Sequence, residues 1–199
     1  MLDDVKLVRS IFIENLKKFK DEQIIKILCG VRRCGKSTIL KTYKDELISL
    51  GVKKQNIIEQ LYSSMEFNED FDYKNMHKEL LSLIENADKN QKVYLLLDEV
   101  QEVENWEKCV NSLFETQNVD IYVTGSNSKL LSSEISTYLT GRFVQIPIFT
   151  LSFSEFIDFK KHYFPTNTEI SLEKYFEQYL KSGGFPFIAK TNHNQEENY

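Results

Sequence analysis

The chain has 199 residues, of which 41% are hydrophobic and 28% are charged, and its formal net charge is −5. This length suffices for one complete domain and part of another, and the composition is that of an ordinary soluble globular protein. No apolar run approaches the roughly 18 residues of a transmembrane helix, and Lys and Arg do not cluster with aromatic residues as on a nucleic-acid-binding surface. We therefore expect neither a membrane span nor a nucleic-acid site in this chain.

The cysteines and the N-terminus favour a cytoplasmic protein. Cys29, Cys34 and Cys109 are odd in number and lack zinc-ligand spacing, which favours reduced thiols. The first residues, MLDDVKLVRS, lack the cationic start and apolar centre of a secretory signal. Residues 1–60 carry 13 basic and 8 acidic side chains, whereas residues 61–199 carry 12 and 22. The basic part would suit an anionic nucleotide.

The first predicted elements surround a phosphate-binding pattern. Residues 5–19 predict an amphipathic helix, and the apolar run at 24–29 predicts a strand. Residues 30–37 then read GVRRCGKS, which fits the spacing G-x-x-x-x-G-K-[ST] between a strand and a helix. That helix is predicted over 37–50, with Gly51 as its C-terminal cap. The segment therefore predicts a phosphate loop.

Each residue type in this loop suits phosphate chemistry. Gly30 and Gly35 permit turns that a side chain would block, Lys36 supplies a cation, and the Ser37 hydroxyl can ligate Mg²⁺. Successive N–H groups and the helix N-terminus can then point at phosphate oxygens. The predicted nucleotide-binding residues of this segment are Gly30, Val31, Arg32, Arg33, Cys34, Gly35, Lys36, Ser37 and Thr38. Cys34 is either a readily ionised thiol beside cations or a small tolerated loop residue.

A second element points to the same chemistry. A weak strand at 56–65 and a helix at 72–87 precede the apolar run VYLLLDEV at 93–100, a buried strand that ends in two carboxylates. After such a strand, Asp98 is predicted to hold the Mg²⁺ shell and Glu99 to orient an attacking water. The alternative is a strand that merely ends in acidic surface residues.

The remaining elements complete an α/β pattern. Asn105 is a candidate N-cap of a helix through Glu115, and strands follow at 119–123 and 143–149, with Pro147 favouring a strand end or an edge. The alternation predicts a parallel sheet with helices on both faces and a ligand crevice at the carboxyl ends of the strands. We expect a P-loop ATPase core over 1–150, a partial helical lid over 151–190, and a polar tail over 191–199 that marks a truncation. The double glycine Gly183-Gly184 can be a helix C-cap.

Taken in order, six segments resemble the bacterial and archaeal AAA-family ATPases of the STAND type, close to the archaeal-ATPase or MNS group. They are GVRRCGKSTIL, VYLLLDEVQEVENWEKCVNSLFE, DIYVTGSNSKLL, LTGRF, LSFSEF and GGFP. The resemblance implies an ASCE-type P-loop core with sheet order 5-1-4-3-2, and ATP and Mg²⁺ as cofactors. Family members usually continue into a winged-helix-like domain and a nuclease-like domain. The resemblance therefore implies an N-terminal ATPase portion that works with further domains or another protein.

The resemblance also assigns residue roles. Lys36 and Ser37 match the Walker A ligands, and Asp98 and Glu99 match the Walker B metal-shell and catalytic residues. Ser126 and Asn127 match the sensor 1 region, which senses the γ-phosphate. Arg142 is either a catalytic cation or a salt-bridging surface residue. Pro186 matches the lid proline that packs on adenine.

Three functions follow from these motifs. The leading hypothesis is an ATP-hydrolysing switch module. The others are a nucleotide-gated binding module with negligible hydrolysis and a P-loop kinase. Two features argue against the kinase: Glu99 directly follows Asp98, which suits activation of water, and Arg142 is the only arginine after Arg33, so that no arginine-rich lid is evident. A GTPase is disfavoured because no N-K-x-D motif occurs.

Overall fold

The computed structural model describes residues 9–63, 71–126, 138–165 and 170–191. The elements in these residues are α1 (Ser10–Lys18), β1 (Ile25–Gly30), α2 (Lys36–Ser49), β2 (Ile57–Leu61), α3 (Tyr73–Glu85), β3 (Val93–Asp98), α4 (Trp106–Thr116), β4 (Val119–Ser126), β5 (Phe143–Pro147), α5 (Phe153–Tyr163), α6 (Leu172–Ser182) and α7 (Pro186–Ala189). Short 3-10 turns precede β2 and follow β3, at Lys54–Asn56 and Val100–Glu102. None of these helices combines the length and the apolar character that crossing a membrane requires.

The five strands form one parallel sheet in the order β2-β3-β4-β1-β5. This confirms the predicted order. Strand β1 lies between β4 and β5, and β3 lies next to β4, so the carboxyl ends of these strands share one edge of the sheet. Pro147 is the last residue of β5, which is an edge strand, as its missing N–H donor predicts.

Helices cover both faces of the sheet, because successive side chains of each buried strand point to opposite sides. Leu95 of β3 packs on the side of α3 and α4, with Leu80 and Val110. The adjacent residue Leu96 packs on the other side, against α1 and α2, with Leu40 among its neighbours. Burial on both sides explains why the strands are continuous apolar runs in the sequence.

The helices after β5 have a hydrophobic cluster of their own, formed by Leu151, Phe156, Phe159, Tyr175 and Ala189. A capping box begins α5, in which the Ser152 hydroxyl accepts from the Glu155 N–H and the Glu155 carboxylate accepts from the Ser152 N–H. This segment is the small C-terminal helical part that the sequence predicts. Its division from the core at residue 150 stays a prediction.

Gly183 ends α6 with φ of +73°, so the double glycine does cap a helix. Gly184 has a different role, because its carbonyl accepts from the Leu151 N–H at 2.6 Å and a Cβ there would lie 2.4 Å from the Leu151 carbonyl oxygen. The pair thus ends α6 and ties it to the beginning of the helical segment.

Two helix boundaries contrast in how well their caps were predicted. Gly51 has φ of +88° after α2, and the N–H groups of Gly51 and Val52 donate to Ile48 and Leu47, a Schellman cap. Asn105 immediately precedes α4, but its φ is +57° and its side chain makes no capping hydrogen bond. Asn105 is therefore the N-cap residue, as predicted, but its side chain does not supply the capping hydrogen bond.

Candidate functional site

The phosphate-loop pattern lies between the end of β1 and the start of α2, where it was predicted. The two glycines of the pattern are each required for a different structural reason. A Cβ on Gly30 would lie 2.3 Å from the Ile148 carbonyl oxygen and 2.8 Å from Cys34 Sγ. Gly35 instead has φ of +105°, which a side chain disfavours. The loop can thus turn tightly from the sheet edge into the N-terminus of α2.

Lys36 points back into this loop. Its side chain is buried, with the residue 4% exposed, and Nζ donates to the carbonyls of Gly30 at 3.1 Å and Val31 at 3.2 Å. No ion pair of Lys36 occurs among the described residues. The recorded partners of its ammonium in the described residues are therefore neutral carbonyl oxygens, and an anion would be a stronger partner. Ser37 is half-buried and Thr38 is exposed in the first turn of α2.

The rest of the loop divides into an outer and an inner part. Val31, Arg32 and Arg33 are exposed, and Arg33 has φ of +67°. Cys34 points inward, and its Sγ donates to the Ile148 carbonyl at 3.3 Å. Burial raises the pKa of the Cys34 thiol, against a smaller opposing effect of Lys36. Of the two readings of Cys34, the readily ionised thiol is therefore the wrong one.

The two carboxylates lie at the same edge of the sheet. Asp98 ends β3 with 5% of its surface exposed, and its Oδ1 accepts from the Thr124 hydroxyl. The same hydroxyl oxygen accepts from the Glu99 N–H at 3.0 Å. Thr124 of β4 therefore fixes both acidic residues, and Glu99 reaches this position with φ of +55°.

Thr124 was missed as a site residue by the sequence interpretation, which chose the next polar positions along β4. Leu97 pairs with Val123, so Thr124 lies beside Asp98 in the parallel register. Once the strand order is known, this polar residue at the end of a buried strand is a recognisable signal. Ser126 is half-buried and pairs with Gly30, whereas Asn127 lies outside the described residues.

Arg142 is not brought to the phosphate loop of its own chain. Its carbonyl accepts from the Ile25 N–H, and β5 begins at the next residue, so Arg142 lies at the amino ends of the strands. Its guanidinium donates to Asn111 and Glu115 of α4. Within one chain, Arg142 is therefore a salt-bridging residue, because the phosphate loop lies at the opposite edge of the sheet.

Pro186 does approach the phosphate loop. Its Cγ lies 3.8 Å from the position that a Cβ on Gly35 would take. Gly35 and Pro186 both line a cleft of about 50 Å³, together with residues of α1, α2 and α5 such as Ile13, Thr38 and Tyr163. This cleft is much smaller than the ~300–1,000 Å³ of typical ligand pockets.

Arg9 connects the loop to the helical segment and was not recognised from the sequence. Its Nε and Nη2 donate to the two oxygens of Glu155 at 2.7 and 3.1 Å. It also donates hydrogen bonds to the carbonyl oxygens of Cys34 at 3.2 Å, Phe149 at 2.8 Å and Thr150 at 3.1 Å. One buried guanidinium thus joins the phosphate loop, the end of the sheet and the first turn of α5.

The donor set fits a metal that is bound together with phosphate. Asp98 is buried, and no cation pairs with it in the described part of the chain, although an unpaired buried carboxylate is costly. The described residues contain no group of three or more His, Cys, Asp or Glu side chains that could hold a metal ion. A divalent cation near Asp98 could take its remaining oxygen ligands from water and nucleotide phosphates, as Mg²⁺ usually does.

The sequence pattern of the AAA domain family matches residues 22–157. An uncharacterized protein of Haemophilus influenzae is 36% identical over 91% of this chain and 44% of its own length. An uncharacterized protein of Methanocaldococcus jannaschii is 34% identical over 95% of this chain and 44% of its own length. The chain thus spans less than half of the length of these relatives.

Solved structures share the fold. AMPPCP-bound DnaA from Aquifex aeolicus superposes with a TM-score of 0.57 at 16% identity, over 89% of this chain and 56% of that chain. A DNA polymerase III gamma subunit-related protein from Thermotoga maritima superposes with a TM-score of 0.52 at 13% identity, over 85% and 56%. At these identities the likeness concerns the fold alone.

Proposed function

This chain belongs to the AAA domain family, and from that membership we propose that it binds ATP with Mg²⁺ and hydrolyses the ATP as a switch module. One observation carries the proposal: three adjacent parallel strands end at one edge of the sheet, and the phosphate loop, Asp98 and Ser126 lie at these strand ends. Ligands of open α/β sheets bind at such crevices. The activity of any longer protein that contains this domain is outside the proposal.

The phosphates would bind between the loop and α2. The loop N–H groups and the N-terminus of α2 would contact the phosphate oxygens, and Lys36 would exchange its carbonyl partners for them. Ser37 would ligate Mg²⁺, and Asp98 would hold the hydration shell of the ion. The burial of the Asp98 carboxylate, which has no recorded ion pair among the described residues, supports this role because a divalent cation offsets its charge.

Glu99 would orient the water that attacks the γ-phosphoryl group, which leaves ADP and inorganic phosphate as products. Ser126 and Asn127 remain the proposed sensors of the γ-phosphate. Ser126 supports this by its place beside Gly30 at the end of β4. Arg142 could act as a catalytic cation only on a nucleotide that another copy of the chain binds, because it lies at the opposite edge of its own sheet.

The base would occupy the cleft between α2 and Pro186. This cleft is too small for a purine as it stands, so ATP binding would displace α7 and change how the helical segment packs on the core. Arg9 supports such coupling, since it contacts both the loop and Glu155 of α5. The nucleotide state would in this way be converted into a movement of the lid.

Thermal unfolding with ATP, ADP and GTP, each with and without Mg²⁺, tests the binding. A ligand present at about 100 times its Kd adds about 2.7 kcal/mol to the stability, which for a chain of this size raises Tm by about 5–11 °C. We expect this shift with ATP and Mg²⁺, and its loss in Lys36→Ala with an unchanged circular dichroism spectrum. Unchanged ATP affinity in folded Lys36→Ala would refute the site.

Phosphate release in single-turnover conditions tests the hydrolysis. Turnover that needs Mg²⁺ supports the ATPase. Tight binding without any turnover would refute the ATPase and leave a nucleotide-gated binding module. Transfer of the γ-phosphate to a small acceptor instead of water would identify a kinase.

A further inference from the structure

The Gln101 side chain holds the Glu99 carboxylate. Gln101 lies in the 3-10 turn that follows β3, two residues after Glu99. Its Nε2 donates to Glu99 Oε2 and, at 3.2 Å, to Glu102 Oε1. Both partners are carboxylate oxygens, which only accept, so the amide must present its NH₂ group to them. The orientation of the amide is therefore fixed by its surroundings.

This orientation of the Gln101 amide leaves its oxygen atom without a hydrogen-bond partner among the described residues. The Gln101 Oε1 atom is buried and accepts no hydrogen bond from the residues that the structure describes. An unpaired buried acceptor of this kind costs about 1–3 kcal/mol. Reversing the amide would put the oxygen against two carboxylates, which is worse. Within the described residues an unpaired carbonyl therefore lies beside Glu99, and an unsatisfied buried group of this kind calls for an explanation.

The backbone alone does not fix the direction of the Glu99 carboxylate. Glu99 has a left-handed backbone conformation, and Thr124 fixes its N–H, so its Cα is well placed. The side chain has three rotatable bonds beyond Cα, and Glu99 is only half-buried. Among the described residues, the recorded hydrogen bond to the carboxylate comes from Gln101. Gln101 is therefore the group that restricts where the carboxylate points.

We propose that Gln101 is a positioning residue for hydrolysis, which acts by holding the Glu99 carboxylate in the orientation that aligns the attacking water. The proposal rests on the proposed ATPase function and names a residue to which neither the motifs nor the family assignment gives a role. Misplacement of a reacting group by about 1 Å can cost a hundredfold in rate. The recorded hydrogen bonds of Gln101 within the described residues go to Glu99 and Glu102 and not to the phosphate loop, so we expect its effect on turnover and not on ATP affinity.

Gln101→Met tests the proposal, because it keeps the length of the side chain and removes both polar atoms. We expect kcat to fall by roughly tenfold to a hundredfold while KM and ATP affinity stay within about twofold. Thermal stability should not fall, since the variant also removes an unpaired buried oxygen. A merely structural role would produce the reverse, a lower Tm with little change in kcat. Glu102→Ala is the matched control, because it removes the other acceptor of the amide, and its kcat should stay at the wild-type value.

A double-mutant cycle shows whether Gln101 acts through Glu99. If it does, Gln101→Met should lower kcat in the wild-type background and have no further effect in a Glu99→Gln background. Equal losses in both backgrounds would overturn the proposal, as would a higher kcat in Gln101→Met, which would mean that the contact restrains Glu99. Wild-type kcat in Gln101→Met, with turnover lost in Glu99→Gln, would overturn this inference alone. No turnover in the wild-type chain would overturn the proposed function and this inference with it.

Discussion

Arg9→Met should destabilise the folded chain, although Arg9 lies outside the predicted motifs. The side chain of Arg9 is 6% exposed and that of Glu155 is 24% exposed, and both Glu155 oxygens accept from the guanidinium. Removing one partner of a buried ion pair costs about 3–5 kcal/mol, because the other charge stays behind unpaired. Because water can partly reach Glu155, we expect a loss of stability at the lower end of this range, about 3 kcal/mol.

The measurement is thermal and denaturant unfolding without nucleotide. A loss of 3 kcal/mol lowers the Tm of a chain of this size by about 6–12 °C. The double variant Arg9→Met/Glu155→Leu should lose less than the two single variants added together, since it leaves no unpaired charge. Arg32→Met is the control, because Arg32 is exposed and such substitutions stay within about 0.5 kcal/mol. A Tm for Arg9→Met equal to that of the control would refute the reasoning.

The pH dependence of stability gives a second measure of the same contact. Burial by itself would raise the pKa of Glu155, but hydrogen bonds from Arg9 and Ser152 outweigh it, so the pKa lies below the ordinary 4.5. A carboxylate with a lowered pKa in the folded state contributes stability above the unfolded-state value. That contribution is lost as pH falls from about 4.5 through the folded-state pKa. Arg9→Met should lack most of this acid-dependent loss, and a wild-type pH profile in the variant would contradict the assigned cause.

Three further outcomes test the site. Glu99→Gln should lower the rate of single-turnover hydrolysis by about a hundredfold or more, with ATP still bound. Asp98→Asn should lower this rate and also weaken the Mg²⁺-dependent binding of ATP. A wild-type rate in Glu99→Gln would exclude Glu99 as the catalytic carboxylate. Pro186→Gly should lower the affinities for ATP and ADP by a similar factor in binding titrations. A lower affinity for ATP alone would contradict a contact between Pro186 and the base. Thr124→Val should cost about 1–3 kcal/mol in denaturant unfolding, because it leaves Asp98 and the Glu99 N–H without their shared partner; unchanged stability would show that water replaces the hydroxyl.

The local elements were predictable because their causes are local. The phosphate loop is recognisable in the sequence because its turn requires glycines at fixed positions. Gly51 caps α2 through hydrogen bonds that span at most five residues. The apolar run before Asp98 predicts a buried strand for the same reason. The strand order 5-1-4-3-2 came from the family resemblance rather than from periodicity, and the structure confirms it. Asn105 shows the limit, since a favourable cap residue took a left-handed conformation instead.

The amino-acid sequence by itself determined the α/β alternation, the phosphate loop and the carboxylate pair at the end of β3, because spacing along the chain carries that information. Only the tertiary structure decided which distant groups share the site. Thr124 lies 26 residues from its partner Asp98, and Arg9 lies 146 residues from Glu155. For Arg142 the sequence left open a catalytic cation or a salt-bridging surface residue, and the direction of β5 puts it at the edge of the sheet opposite the phosphate loop. Such contacts depend on strand order and on the sum of packing energies over the whole core, which no local pattern encodes.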